Sequence, residues 1–102
     1  MSDVFKAIAD PTRREILLTL VKSPENVNTI SEKFNMSRPA VSKHIKVLTE
    51  SRLVRIEQDE TDHRQRNCFA QLEALHEVNQ FLKQLEGFWN NTLDGLGNYL
   101  KK

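Results

Sequence analysis

Apolar positions fall at helical spacing in four short stretches, then take on strand character, then return to helical spacing to the end of the chain. Val4, Phe5 and Ile8 are spaced for a short amphipathic helix. Asp10-Pro11 ends it: proline pushes its predecessor out of the helical region, so Asp10 is placed to cap a second helix and Pro11 to begin it. That helix runs to about Val21, with Ile16, Leu17, Leu20 and Val21 on its inner face, and Ser23-Pro24 closes it. Val27, Ile30 and Phe34 predict a third, shorter helix. Asn35-Met36-Ser37 is a tight connection, and Ser37 caps a fourth helix over 38–50, with Val41, His44, Ile45 and Leu48 along one stripe. Two short helices joined by a turn of about three residues form a helix-turn-helix pattern.

Beyond Ser51 the period changes. Leu53, Val54 and Ile56 form one strand-like run and Asn67, Cys68, Phe69 and Ala70 a second, with the polar stretch EQDETDHRQR between them as a hairpin. A hairpin directly after a helix-turn-helix is the wing of a winged helix. From Leu72 onward Leu75, Val78, Leu82, Leu85, Trp89, Leu93, Leu96 and Leu100 step by three or four, and Leu72, Phe81, Phe88 and Tyr99 widen the stripe. Such a helix is too apolar to lie alone on a surface. Its polar residues are not strongly basic, which favours a partner helix over a membrane surface. Together with Val4, Phe5 and Ile8 it makes a two-fold interface, with Leu75, Val78, Leu82, Leu85, Trp89 and Leu93 as its principal residues. Gly87, Gly95 and Gly97 each cost about 1 kcal/mol inside a helix, so a bend or break is expected there. The predicted fold is mainly α with a small β-hairpin: a winged helix-turn-helix dimerising through its terminal helices. It is a single domain, 1–102, with 1–9 and 72–102 as dimerisation helices.

The size suits one domain, and no repeat or low-complexity segment divides it. Net charge is +1, yet its distribution is uneven. Residues 36–56 hold Arg38, Lys43, Lys46, Arg52 and Arg55 against Glu50 alone, whereas 57–71 are net acidic. A central basic segment is the footprint that phosphate attraction requires. The lone cysteine, Cys68, excludes an internal disulfide and suits a reducing compartment. No stretch reads as a signal peptide or a membrane span, so the expected location is cytoplasmic with no membrane partner.

The fourth helix carries the chemistry. Val41, Ile45 and Leu48 anchor it, which turns Pro39, Lys43 and Lys46 to the opposite face with Ser42 on the flank. Arg38 and Pro39 sit at the end that enters a DNA groove in this motif. Arg38 can donate bidentately to guanine O6 and N7, while Lys43 and Lys46 suit phosphates and Ser37 and Ser42 suit either. A solvated helix with ordinary surface lysines is the competing reading, and the whole context favours double-stranded DNA as the partner. His44 lies near the buried stripe, where packing is favoured over base contact. Arg13 and Arg14 stand in a first turn, where the helix dipole disfavours cations; a DNA phosphate or the neighbouring Asp10 and Glu15 would each compensate. In the wing, Arg64 and Arg66 alternate as strand neighbours and can reach DNA, but Asp59, Glu60 and Asp62 near the tip oppose it, so solubility is the rival role.

FKAIADPTRREILLTL and NMSRPAVSKHIKVLTESRLVRIE resemble the ArsR family of bacterial winged-helix repressors. The resemblance covers D-P-T-R-R, the recognition-helix string and the strand entering the wing, and FWNNTLDGLGNYL is similar to one branch of the family. It implies a homodimeric, cytoplasmic repressor that binds a palindromic operator and dimerises through its terminal helices. Many members sense metals through cysteines in the third helix or Asp and His pairs in the last. Here VNTISEKFN has no cysteine, and His76 stands only near Glu73 and Glu77, so the expectation is a non-metal-sensing branch with no metal and no cofactor. The wing's acidity departs from the short basic wings common in the family. No phosphate loop or paired nucleophile and base argues for an enzyme. Two alternatives stay open: a repressor with an organic effector at the dimer interface, the effector unknown, and a winged helix that binds protein.

Overall fold

The computed structural model describes residues 3–62 and 64–100, and of 92–100 the backbone path. The order of elements is α1 (Val4–Ala9), α2 (Pro11–Lys22), β1 (Glu25–Asn26), α3 (Val27–Phe34), α4 (Arg38–Glu50), β2 (Val54–Gln58), β3 (Arg66–Ala70), a tight helical turn Leu72–Leu75, and α5 (His76–Leu100). This is the expected winged helix-turn-helix with one addition. The wing is a three-stranded antiparallel sheet in the order β1-β3-β2, where a two-stranded hairpin was expected. β1 is only two residues long, and its pairing of Glu25 with Cys68 and Asn26 with Asn67 pins the wing to the start of α3.

Each helix stops and starts on local chemistry. The Asp10 carboxylate accepts from the amides of Thr12 (2.7 Å) and Arg13 (3.2 Å), and Asn26 caps α3 through Thr29 N–H (2.8 Å). α3 ends with Asn35 in the left-handed region (φ 51). The amides of Asn35 and Met36 return to the carbonyls of Glu32 and Ser31, which is a Schellman closure. The Ser31 hydroxyl donates to the Met36 carbonyl as well, fixing the turn between α3 and α4. α4 ends likewise: Arg52 (φ 66) occupies the left-handed position, and Leu53 N–H reaches Leu48 O at 2.9 Å. Leu53 enters the core there, so this closure also sets where the wing begins.

The core joins Val4 and Ala7 of α1, Ile16, Leu17 and Leu20 of α2, Ile30 of α3, and Val41, Ile45 and Leu48 of α4 to Leu53, Val54 and Cys68. Cys68 is wholly buried as expected of a core residue, and burial pushes its thiol up to about 11. Val21, expected on the inner face of α2, is 49% exposed. Five residues past Ile16 the helix has rotated it off the buried stripe and onto the side of exposed Leu18.

α5 runs unbroken through Gly87, Gly95 and Gly97, where a bend or break was expected. Glycine costs about 1 kcal/mol in a helix interior but keeps its amide donor and makes no steric clash, so it weakens a helix without having to break it. The helix leaves the body: the molecule measures 66 × 25 × 23 Å with a radius of gyration of 18.3 Å, against roughly 13 Å for a compact chain of this length. Phe81 meets Phe5 of α1 edge to face at 5.5 Å, but beyond it Phe88 is 74% and Trp89 61% exposed.

Two substitutions should stabilise the fold on backbone grounds alone. Arg52→Gly removes the Cβ penalty of the left-handed position, and Gly87→Ala adds a Cβ that meets nothing within 4 Å. Each is expected to add roughly 0.5–1 kcal/mol, read as a higher denaturant midpoint at unchanged m-value.

Candidate nucleic-acid interface

The buried row Val41, Ile45 and Leu48 fixes the rotation of α4 about its axis. Ser37, Arg38, Pro39, Ser42, Lys43 and Lys46 are consequently all exposed. Ser37 caps the helix by accepting from Ala40 N–H (3.3 Å). Arg38 does not extend freely: one guanidinium nitrogen donates to Asn28 Oδ1 of α3 at 2.9 Å. Sequence reading missed Asn28, because its relevance depends on how α3 and α4 cross.

His44 is half-buried, with Nδ1 3.3 Å from a guanidinium nitrogen of Arg13. Arginine can only donate, so Nδ1 is the acceptor. The same Arg13 donates to Ala7 O (2.8 Å) and Lys6 O (3.0 Å), and lies 3.8 Å from the Asp10 carboxylate. Arg14 donates to Ile8 O (2.7 Å) and Ala9 O (3.3 Å). The two arginines at the start of α2 therefore close the carboxyl end of α1, where the dipole favours cations. The structural account of Arg13 and Arg14 is the one this geometry supports. His44 serves as a strut from α4 to that corner.

In the wing, Arg64 lies in the loop before β3 and is not a strand neighbour of Arg66, contrary to expectation. Both nevertheless line one cleft with Arg38. The acidic tip has a local explanation. Asp59 accepts from Thr61 Oγ1 (2.6 Å), Thr61 N–H (2.8 Å) and Asp62 N–H (3.1 Å), bonds that hold its carboxyl down at about 2. Asp62 accepts from Arg64 N–H at 3.0 Å. These carboxylates build the turn that aims the wing.

The expected interface residues divide. Val4 is buried in the chain's own core, and Phe5, Ile8, Leu75 and Val78 are half-buried against it. Leu82, Leu85 and Trp89 are exposed, and the side chains of Leu93, Leu96 and Leu100 lie outside the described residues. Val4 is thus spent within the monomer, because α1 is the lid on its core. Among the described residues no three His, Cys, Asp or Glu side chains are placed to hold a metal, and no helix is long and apolar enough to cross a membrane.

Three comparisons bear on this arrangement. The family model described as "Bacterial regulatory protein, arsR family" matches residues 10–55. The chain is 41% identical to the transcriptional repressor SdpR of Bacillus subtilis over 64 residues, 63% of this chain and 64% of SdpR. It is 46% identical to the HTH-type transcriptional regulator Rv2034 of Mycobacterium tuberculosis over 50 residues, 49% of this chain and 47% of that protein. The matches thus span about half to two thirds of these relatives' lengths. Among solved structures, the crystal structure of the ArsR family transcriptional regulator RHA00566 superposes with a TM-score of 0.73 at 32% identity, covering 84% of this chain and 86% of that one.

Asp10 offers a test of the corner. Burial alone would raise its carboxyl, but the amides of Arg13 and Thr12 and the charge of Arg13 outweigh that and hold it below 3.8. A carboxyl lowered on folding contributes stability above its unfolded value and loses it as pH falls through the folded one. Asp10→Ala is therefore expected to cost about 1–2 kcal/mol at pH 7, a gap that narrows below about pH 4 in parallel denaturation curves.

Proposed function

Because the chain belongs to the ArsR family of bacterial regulatory proteins, we propose that it is a homodimeric transcriptional repressor that holds α4 in the major groove of a palindromic operator. The observation that carries the reading is the rotation of α4. Its apolar row is consumed by the core, and every polar residue of its far side, Ser42, Lys43 and Lys46 included, faces outward. Repression is supported by the similarity to SdpR, whose name describes a transcriptional repressor. Regulation by binding, without catalysis, is in keeping with that family. A cytoplasmic location follows from a DNA target.

Pairing is supported by α5. A row of Leu82, Leu85 and Trp89 on a projecting helix gains little by facing water, and burying each against a second copy is worth roughly 1.5–3 kcal/mol. Two copies joined there would present two recognition helices to half-sites about 34–36 Å apart. Ser37, Arg38, Pro39, Ser42, Lys43 and Lys46 would contact the DNA, with Arg64 and Arg66 reaching it from the wing.

Two measurements test this. If Lys43, Lys46 and one wing arginine of each subunit neutralise roughly six phosphates in all, log K for the operator should fall with log[salt] at a slope of about −5. A slope near zero, or no footprint over an inverted repeat in the upstream region, would sink the reading. Trp89→Asp should convert the dimer to monomer in sedimentation while leaving the far-ultraviolet signature of α1 to α4, and should weaken operator binding. A variant that stays dimeric would move the interface away from α5.

A further inference from the structure

The geometry points to a single shared phosphate seat, formed by Arg38, Arg64 and Arg66, with Asn28 as the residue that positions Arg38 in it. The inference rests on the DNA-binding reading above and changes the task of Arg38 from reading a base to gripping the backbone. A cleft of about 500 Å³ separates the start of α3, the first turns of α4 and the wing. Arg38 and Ser42 face it from α4, Asn28 from α3, and Arg64 and Arg66 from the wing.

The positions of these cations are set by backbone structure. In the β2–β3 register Gln58 opposes Arg66 and Ile56 opposes Cys68, so Arg66 shares its sheet face with Cys68, the face turned to the core and α4. The β1–β3 pairing then fixes the wing against α3, and Asn26 Nδ2 donates across to Gln65 Oε1 at 3.4 Å. Asn28 draws the Arg38 guanidinium back from the crest of α4 toward the cleft (2.9 Å). A neutral amide orients the fork and takes one of its five donors without cancelling its charge.

Among the described residues no carboxylate lines the cleft. The acid at its margin is Asp62, 3.4 Å from Arg64 Nε. Among the described residues neither Arg38 nor Arg66 forms an ion pair. Of the three guanidinium groups lining the cleft, those of Arg38 and Arg66 have no acidic partner among the described residues, and a phosphate would supply the counter-charge while its oxygens accept from the forks. A base edge offers no negative charge and would need Arg38 extended along the groove, away from Asn28. The exposed residues of α4 that remain for base contact are Pro39 and Ser42.

A diester of the DNA backbone and free phosphate share this chemistry, and the test separates them. Operator duplexes carrying one neutral methylphosphonate at a time are bound to wild type, Arg38→Ala, Arg66→Ala and Asn28→Ala. One position per half-site should cost wild type about 10-fold or more. On that duplex Arg38→Ala and Arg66→Ala should cost nothing further, while on every other duplex they cost the full factor. Arg38→Ala should lose the same factor on base-substituted operators, and Asn28→Ala should lose part of the coupling to that one phosphate alone. Inorganic phosphate at millimolar concentration should leave the arginine Nε–H resonances of the free protein nearly unmoved.

An Arg38→Ala cost that follows one base pair, or Arg38 and Arg66 coupling to different phosphates, overturns the shared seat while wild-type operator binding leaves the DNA reading standing. Saturable shifts at Arg38 and Arg66 with inorganic phosphate, competitive with operator, also overturn it and assign the cleft to a free anion. Failure of the wild type to bind any duplex overturns both.

Discussion

The corner between α1 and α2 sets the geometry of everything around it. α1 is six residues long, too short to persist by itself, and the last carbonyls of any helix lack partners within it. Arg13 and Arg14 supply those partners from the first turn of α2. Two cations there oppose the dipole of α2, and Asp10 answers by placing a carboxylate, held ionised below its ordinary range, at the same helix end. Each charge is misplaced for one helix and right for the other, so the corner holds only when both helices meet at this angle.

Two faces of the molecule hang on that angle. Outward from α1, Phe5 meets Phe81 edge to face, which directs the start of α5. Inward, Arg13 reaches His44 on α4, so the helix proposed to read DNA is braced by the corner that aims the projecting helix. The remaining constraint on α4 comes from its two ends: the Asn35 closure with Ser31 and Ser37 before it, and the Arg52 closure after it. Between them, core packing of Val41, Ile45 and Leu48 decides which side faces out.

Much of this is local and was legible in the sequence. Caps at Asp10 and Ser37, the turn at Asn35-Met36-Ser37 and the buried stripe of α4 depend on residues a few positions apart, and local order along the chain settles them. What depends on crossing angles was not legible. β1 is a Glu-Asn pair with no apolar alternation, and it exists because β3 lies beside it. Arg13, Arg14 and His44 were each assigned singly, whereas their roles are mutual. Asn28 had no signal in an otherwise ordinary helix start, and Arg38 could be given a chemistry from its sequence position but not a direction. Val21 kept the helical period and still left the core, since the stripe is narrower than the pattern implied.

The projecting helix makes folding and function one problem. The first turns of α5 pack on the core through Val78 and on α1 through Phe81, whereas Leu82, Leu85 and Trp89 beyond them are exposed. Where the exposed residues of α5 bury little, helix propensity has to hold it, and Gly87 lowers that propensity. A second copy would order the segment by covering its apolar side, and in doing so would fix the separation of two recognition helices. Because α5 is aimed by Phe5 and α1 by Arg13, the spacing of the two reading heads would be set by the same guanidinium that braces each head through His44. A change at the pairing surface and a change at the corner should therefore both reach the DNA through one route, the placement of α4.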